Sequence, residues 1–109
     1  MNWELKFLPE AIEDLKNIDA SIRPQILKGI RKVLQNPQPK VFGGYGEPLG
    51  NTKIAKLSGL YKVKFRGIGQ RVVYALHKTD NSMIVIVISA REDFKVYKEA
   101  EKRRKNNNL

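Results

Sequence analysis

The sequence predicts an α+β fold, with a mostly antiparallel sheet of four or five strands, two N-terminal helices and one C-terminal helix. Three observations predict this class: apolar side chains at helical spacing in the first third, four successive strand patterns after residue 53, and a polar helical pattern from residue 92. A length of 109 residues is typical of one domain. We therefore expect a single domain over residues 1–109, of which 103–109 form a frayed basic tail.

The N-terminal third contains one strand pattern and two helix patterns. Residues 2–7 alternate apolar and polar side chains, which is typical of a half-buried strand. Pro9 stands where a short helix can begin, because proline is tolerated in the first helical turn. Apolar residues then recur at helical spacing from Ile22 to Leu34, and Asn36-Pro37 is expected to end this second helix.

Residues 36–52 are rich in proline and glycine, a composition that disfavours both helix and strand. The segment is therefore predicted to be a loop. Seventeen residues are long for a loop in a compact domain, so it is either a lid or binding loop or a mobile connection. The sequence leaves both interpretations open.

From residue 53 onward the pattern changes to short apolar or alternating runs. Four strands are predicted in sequence, over residues 54–57, 60–66, 70–78 and 83–89. Strands that follow one another this closely are expected to pair antiparallel. The last run is continuously apolar, which indicates a central strand covered on both faces, and residues 92–104 predict the final helix.

The composition excludes several kinds of active site. The chain has no cysteine and one histidine, His77, which rules out thiol nucleophiles, disulfides, structural zinc and a two-histidine acid/base pair. We expect neither a metal ion nor a cofactor. No apolar stretch approaches the roughly 18 residues of a membrane span, and the first residues do not resemble a signal peptide. We therefore expect a cytoplasmic protein with no membrane partner.

The net charge of +10 is distributed unevenly along the chain. Residues 1–52 carry 7 basic and 6 acidic side chains, whereas residues 53–109 carry 14 basic and 5 acidic ones. A concentrated basic field attracts polyanions, of which nucleic acid is the commonest in a cytosol. A basic surface that serves solubility alone is the other interpretation.

The residues from Leu60 to Tyr74 predict a hairpin whose turn contains Gly67 and Gly69. We expect Arg66 to face Arg71, with one apolar face of the ribbon in the core and four cations on the other: Lys62, Lys64, Arg66 and Arg71. Lys62 and Lys64 are separated by about 6.5–7 Å along the strand, a spacing that suits neighbouring phosphodiester oxygens. A solvated strand whose lysines discourage edge pairing is the alternative.

Two residues after the last strand extend this cationic face. Arg91 follows the apolar run directly, and Tyr97 follows six residues later, where its ring could stack on a base. Packing of Tyr97 on the sheet is an equally good interpretation of that aromatic. His77 is far along the strand from Arg71 and is predicted to be a bystander.

These segments resemble the RelE-type ribosome-dependent endoribonuclease toxins of bacterial toxin–antitoxin systems. The resemblance covers nearly the whole chain and is carried by Tyr-Lys-Val-Lys at 61–64, Arg-Val-Val-Tyr at 71–74, and Val87-Ile88-Ser89-Ala90-Arg91 running to Tyr97. It implies a small RelE-like fold, similar to that of microbial ribonucleases. The superfamily also contains members with other activities.

The resemblance implies a role for each candidate residue. Lys62 and Lys64 occupy the paired catalytic lysines, Arg71 the phosphate-clamping arginine, Arg91 the second arginine and Tyr97 the stacking tyrosine. A further basic position is matched by Arg66, for which RNA contact alone is expected. The glycines from 43 to 46 make this loop longer than the versions typical of the family.

The implied reaction is a metal-independent transesterification. The ribose 2′-OH attacks the adjacent phosphorus of mRNA in the ribosomal A site, giving a 2′,3′-cyclic phosphate and a free 5′-OH. Neighbouring cations disfavour the protonated form of a lysine, so Lys62 or Lys64 can act as the base. The other lysine and Arg71 would stabilise the phosphorane, and Arg91 the leaving oxygen. The implied partners are the ribosome, mRNA and an acidic or amphipathic cognate antitoxin.

Two other functional classes compete with this interpretation. A non-catalytic toxin resembling the ParE type would bind DNA gyrase, since fold alone does not decide function. A plain nucleic-acid-binding module would bind with strong salt dependence and leave RNA intact. The complete set of five candidate residues favours the nuclease, because a gyrase binder has no chemical reason to retain it.

Overall fold

The computed structural model describes residues 2–51, 55–90 and 92–109. In this part of the chain there are three helices and five strands, which confirms the predicted α+β class. In chain order they are β1 (Glu4–Phe7), α1 (Pro9–Lys16), α2 (Arg23–Leu34), β2 (Glu47–Pro48), β3 (Leu60–Phe65), β4 (Gln70–His77), β5 (Ser82–Ser89) and α3 (Asp93–Asn106). No helix in these ranges is long and apolar enough to cross a membrane.

The strands form one mixed sheet in the order β1-β5-β4-β3-β2. Strand β1 runs parallel to β5, and the other three pairings are antiparallel. The apolar run from Met83 to Ile88 is buried along its whole length, as predicted for a central strand. The second half of the chain thus contributes β3, β4 and β5, of which β3 and β4 carry Lys62, Lys64 and Arg71.

The two N-terminal helices form where the sequence predicts them. Pro9 is in the first turn of α1, and α2 buries Ile26, Ile30 and Val33 at the three- and four-residue spacing of one helix face. The side chain of Arg23 donates hydrogen bonds to carbonyl oxygens at the end of α1, with Nε 2.9 Å from the oxygen of Leu15. This arginine therefore caps α1 and joins the two helices.

The hairpin register differs from the prediction by two residues. Lys64, and not Arg66, is the partner of Arg71, because the residues from Arg66 to Ile68 form a 3₁₀ turn that ends at Gly69 with a φ of 64°. The strand therefore ends at Phe65, one residue before the arginine. A shift of two residues preserves the face of every side chain, since the side-chain period of a strand is two.

The proline- and glycine-rich loop is folded onto the sheet. Glu47 and Pro48 pair with β3 as a two-residue edge strand, within a segment predicted to be a loop. The buried Tyr74 hydroxyl donates a 2.6 Å hydrogen bond to the carbonyl oxygen of Pro37. A Cβ added at Gly46 would overlap that hydroxyl, so glycine is required for this close approach.

A strand was predicted over residues 54–57. This prediction was wrong for residues 55–57, and Ile54 lies outside the described residues. Ala55 and Leu57 are buried, but the backbone does not join the sheet. The amide of Lys56 donates instead to the Glu101 carboxylate of α3 at 2.7 Å. Burial, and not strand pairing, accounts for the apolar pattern that suggested a strand.

The C-terminal helix runs further than expected, and the predicted frayed tail from residue 103 was wrong. The guanidinium of Arg103 makes two bonds to the Asp14 carboxylate, at 2.6 and 3.0 Å, and donates to the Ile86 carbonyl oxygen at 2.9 Å. It also bonds Glu99 one turn earlier, at 2.8 Å. These contacts hold the end of α3 against α1 and β5, so the basic residues there are ordered.

Candidate active site

Lys64 and Arg71 are direct partners across β3 and β4. Lys62 lies two positions before Lys64 on the same strand and pairs with Val73, so all three cations belong to one face of the sheet. Arg71 also pairs with Ser89, the last residue of β5. The sequence prediction that these cations share a face is confirmed, with a corrected register.

Arg66 reaches the same cluster from the turn and not from the strand. A cavity of about 220 Å³ at the end of the hairpin is lined by Lys64, Arg66 and Arg71. We name Lys62, Lys64, Arg66 and Arg71 the cationic cluster. Its positive charges suit it to bind the non-bridging oxygens of a phosphodiester.

Lys62 has two further contacts that hold its ammonium in place. Its Nζ lies 3.7 Å from Oε2 of Glu47 and 5.8 Å from the centroid of the Tyr97 ring. The Lys62 side chain is 22 % exposed, whereas the Glu47 side chain is about half exposed. Both contacts attract the positive ammonium of Lys62 and fix its position.

Tyr97 is brought to the cluster from α3, but its ring is partly buried and packs against the core. Its hydroxyl oxygen is inaccessible to solvent and has no hydrogen-bond partner among the described residues. The packing interpretation of Tyr97 therefore agrees with the structure, and stacking on a base stays a prediction. Arg91, the fifth candidate, lies outside the described residues.

An open groove of about 610 Å³ continues from the cluster between α2, the loop and β3. We name it the α2–β3 groove. The charged side chains that line it are Lys32, Lys40, Glu47, Lys62, Lys64 and Arg66. Five cations and one carboxylate give the groove a strongly positive potential, which is suited to a polyanion.

The carboxylate of Glu47 contacts two of the lysines that line the groove. Oε1 of Glu47 accepts a 3.2 Å hydrogen bond from Nζ of Lys40, and Oε2 faces Lys62. The hydrogen bond from Lys40, together with the charges of Lys40 and Lys62, lowers the pKa of Glu47. Glu47 is therefore ionised at neutral pH. Its carboxylate contacts Lys40 and Lys62, as the phosphate of a bound RNA would.

Among the charged and polar side chains that line the groove, four were not identified from the sequence: Lys32, Lys40, Tyr45 and Glu47. Tyr45 stands between two glycines, which is a signal for a ring held on a tight loop. Lys32 lies on the polar side of α2 and carries no signal of its own. The pairing of Glu47 with Lys62 follows from the β2–β3 register, which no local pattern predicts.

The chain is similar to known bacterial toxins over most of its length. Residues 5–94 match the family described as the ParE toxin of type II toxin–antitoxin systems, parDE. The mRNA interferase toxin RelE of Escherichia coli (strain K12) is 30 % identical over 105 residues, which cover 94 % of this chain and 98 % of that protein. A putative RelE-like toxin protein of Escherichia coli is 26 % identical over 103 residues, with the same coverage.

Solved structures agree with these sequence matches. A mutant of the E. coli toxin RelE in the free state has a TM-score of 0.73 and 27 % identity, covering 94 % of this chain and 98 % of that one. A RelE mutant in complex with a peptide of the antitoxin RelB has a TM-score of 0.67 and 26 % identity, covering 92 % and 95 %. The sheet and helices described above are thus those of a known toxin fold.

Proposed function

The chain belongs to the RelE/ParE family of type II toxin–antitoxin toxins, and from that premise we propose that it is an mRNA interferase. It is an endoribonuclease that cleaves mRNA in the ribosomal A site and so inhibits translation. One observation carries this proposal: Lys62, Lys64 and Arg71 lie on one face of the β3–β4 hairpin, with Lys64 directly opposite Arg71.

The reaction is a transesterification at phosphorus. A lysine of the cluster removes the proton of the ribose 2′-OH, the 2′ oxygen bonds to phosphorus, and the bond from phosphorus to the 5′ oxygen breaks. The 5′ oxygen takes up a proton from water, and the lysine returns its proton to the solvent, which leaves a 2′,3′-cyclic phosphate and a 5′-OH. The second lysine and Arg71 stabilise the charge that develops on the phosphorane oxygens.

The remaining roles are assigned from the resemblance to the family. Arg91 stabilises charge on the leaving 5′ oxygen, and Tyr97 stacks on a base next to the scissile phosphate. Arginine hardly deprotonates, so its contribution is chiefly electrostatic. Arg66 contacts the RNA backbone from the turn.

Dependence on the ribosome follows from the weak acid and base groups of the cluster. Holding the 2′-OH in line with the 5′ oxygen can contribute about 7–11 kcal/mol to lowering the barrier. A ribosome that fixes the mRNA in this geometry would supply the lowering of the barrier that the weak acid and base groups do not provide.

The proposed protein partner is a cognate antitoxin. A RelE mutant that is 26 % identical to this chain has been solved in complex with a peptide of the antitoxin RelB. The net charge of +10 favours an acidic or amphipathic segment that covers the cationic cluster. Its binding is expected to block cleavage and to weaken as salt increases.

The test is primer extension on mRNA in a translation mixture. The wild type is expected to give discrete cleavage sites, and Lys64→Ala to lose them. Lys78→Ala removes the same charge just beyond the far end of β4 and should cleave like the wild type. Intact mRNA together with gyrase-linked DNA breaks would refute the nuclease and favour a gyrase-binding toxin.

A further inference from the structure

We propose that the α2–β3 groove is a second RNA subsite, in which Tyr45 stacks on a base flanking the scissile phosphate and Lys32 and Lys40 bind the adjoining backbone. This inference rests on the proposed function, because it places the RNA strand relative to the cationic cluster. None of these three residues belongs to the catalytic set discussed above.

The groove and the cluster share residues, so one strand can occupy both. Lys62, Lys64 and Arg66 line the groove, and Lys64 and Arg66 also line the smaller cavity that contains Arg71. The volume of about 610 Å³ lies within the roughly 300–1,000 Å³ that small ligands of nucleotide size occupy. A strand whose phosphate lies at Lys64 and Arg71 therefore has a path toward α2.

The backbone at Tyr45 is held in place by a hydrogen bond and by the close packing of the two neighbouring glycines. Its amide donates a 3.0 Å hydrogen bond to the Asn36 carbonyl oxygen, and neither flanking glycine tolerates a Cβ. At Gly44 a Cβ would overlap the carbonyl oxygen of Gln38, and at Gly46 it would overlap the Tyr74 hydroxyl. Tyr45 is nevertheless 39 % exposed, so its side chain is accessible at a defined place.

The charges around Tyr45 fit a nucleotide. Nζ of Lys32 lies 5.7 Å from the centroid of the ring, and Lys40 lines the same groove. Lys32 lies over one face of the ring, so the base would stack on the opposite face. Aromatic rings and cations together are the means by which single-stranded nucleic acids are bound, with stacking for the base and charge for the backbone. An acidic peptide would use the cations but has less need of the exposed ring.

The test compares RNA binding by Tyr45 variants of the full chain. The probe is a short fluorescein-labelled RNA with 2′-O-methyl groups, which cannot be cleaved, and the readout is anisotropy at several salt concentrations. Tyr45→Ala is expected to weaken binding roughly 5- to 100-fold, whereas Tyr45→Phe stays within about twofold of the wild type. Lys32→Ala should reduce the salt slope by about 0.7.

The matched control is Phe42→Ala, which removes a ring that is 65 % exposed on the same loop but does not line the groove. It should bind RNA like the wild type. Equal RNA binding by Tyr45→Ala and the wild type, while Lys64→Ala binds weakly, would overturn the subsite and leave the proposed function intact.

Two other results would also contradict the subsite. If Tyr45→Ala retains RNA binding but loses affinity for the antitoxin, the groove takes a protein segment. If the wild type neither binds the probe nor cleaves mRNA in a translation mixture, the proposed function fails and the subsite fails with it.

Discussion

Lys64 and Arg71 occupy directly opposed positions of two antiparallel strands. Side chains at such positions have Cβ atoms about 4.5–5.5 Å apart, so both cations can reach oxygens of one phosphate group. The 3₁₀ turn from Arg66 to Ile68 sets this pairing, because it removes Arg66 from the strand. A hairpin without that turn would put Arg66 in the place of Lys64.

The carboxylate of Glu47 competes with RNA for two lysines. Glu47→Gln removes the negative charge that faces Lys40 and Lys62, and should strengthen binding of a non-cleavable RNA about two- to fivefold. Anisotropy titration measures this, with Glu13→Gln on α1 as a control that removes an equal charge from an exposed position. Weaker RNA binding by Glu47→Gln would contradict the competition.

The loop is anchored at Gly46. Gly46→Ala puts a Cβ onto the Tyr74 hydroxyl and within 2.9 Å of the Pro37 carbonyl oxygen. We expect the free energy of unfolding to fall by about 1–3 kcal/mol, measured by urea denaturation. Gly50→Ala is the control, since among the described residues, its two chain neighbours apart, no atom lies within 4 Å of the added Cβ. A neutral or slightly stabilising effect is expected. Equal stabilities of the two variants would show that the anchor is unimportant.

Burial of Tyr74 makes stability depend on alkaline pH. Burial raises the pKa of Tyr74 well above its ordinary value of 10.0. Its contribution to stability is therefore fully present below about pH 10 and is lost as the pH rises through the higher folded-state pKa, because only the unfolded chain ionises. Urea denaturation from pH 8 to 11 should show a smaller loss of stability in Tyr74→Phe than in the wild type. Identical pH profiles would contradict this prediction.

Arg103 joins three elements, and its loss should be costly. Arg103→Ala leaves the mostly buried Asp14 carboxylate without its two guanidinium bonds, and we expect a loss of about 3–5 kcal/mol. The neighbouring Lys102 is exposed, and Lys102→Ala should change stability by less than about 0.5 kcal/mol. Thermal and urea unfolding of the two variants give the comparison; an Arg103→Ala protein as stable as Lys102→Ala would restore the frayed-tail interpretation.

The fold was predictable where one local pattern decided the structure. The alternation over residues 2–7, the helical spacing up to Leu34 and the apolar run before Ser89 each have one good interpretation. Residues 55–57 were mispredicted because the burial of Ala55 and Leu57 produces the same apolar pattern as strand pairing. Arg103 was mispredicted because its partner Asp14 is 89 positions away, a contact that composition does not reveal.

For the site, the sequence predicted which side chains share a face of the sheet, but not which side chains contact one another. The period of two placed Lys62, Lys64 and Arg71 together even with the wrong register. The contact of Glu47 with Lys62 depends on how a glycine-rich loop closes, and Tyr97 reaches Lys62 only through the docking of α3. Such contacts depend on tertiary packing, for which short sequence patterns contain no information.

The central claim is that Lys64 and Arg71 act on one phosphate, and a double-mutant cycle tests it most directly. The cycle compares single-turnover cleavage rates of ribosome-bound mRNA for the wild type, Lys64→Ala, Arg71→Ala and the double variant. Each single change is expected to slow cleavage about 10²- to 10³-fold, and the double variant to be much faster than the product of the two effects predicts. Multiplicative effects, which mark independent sites, would contradict the claim.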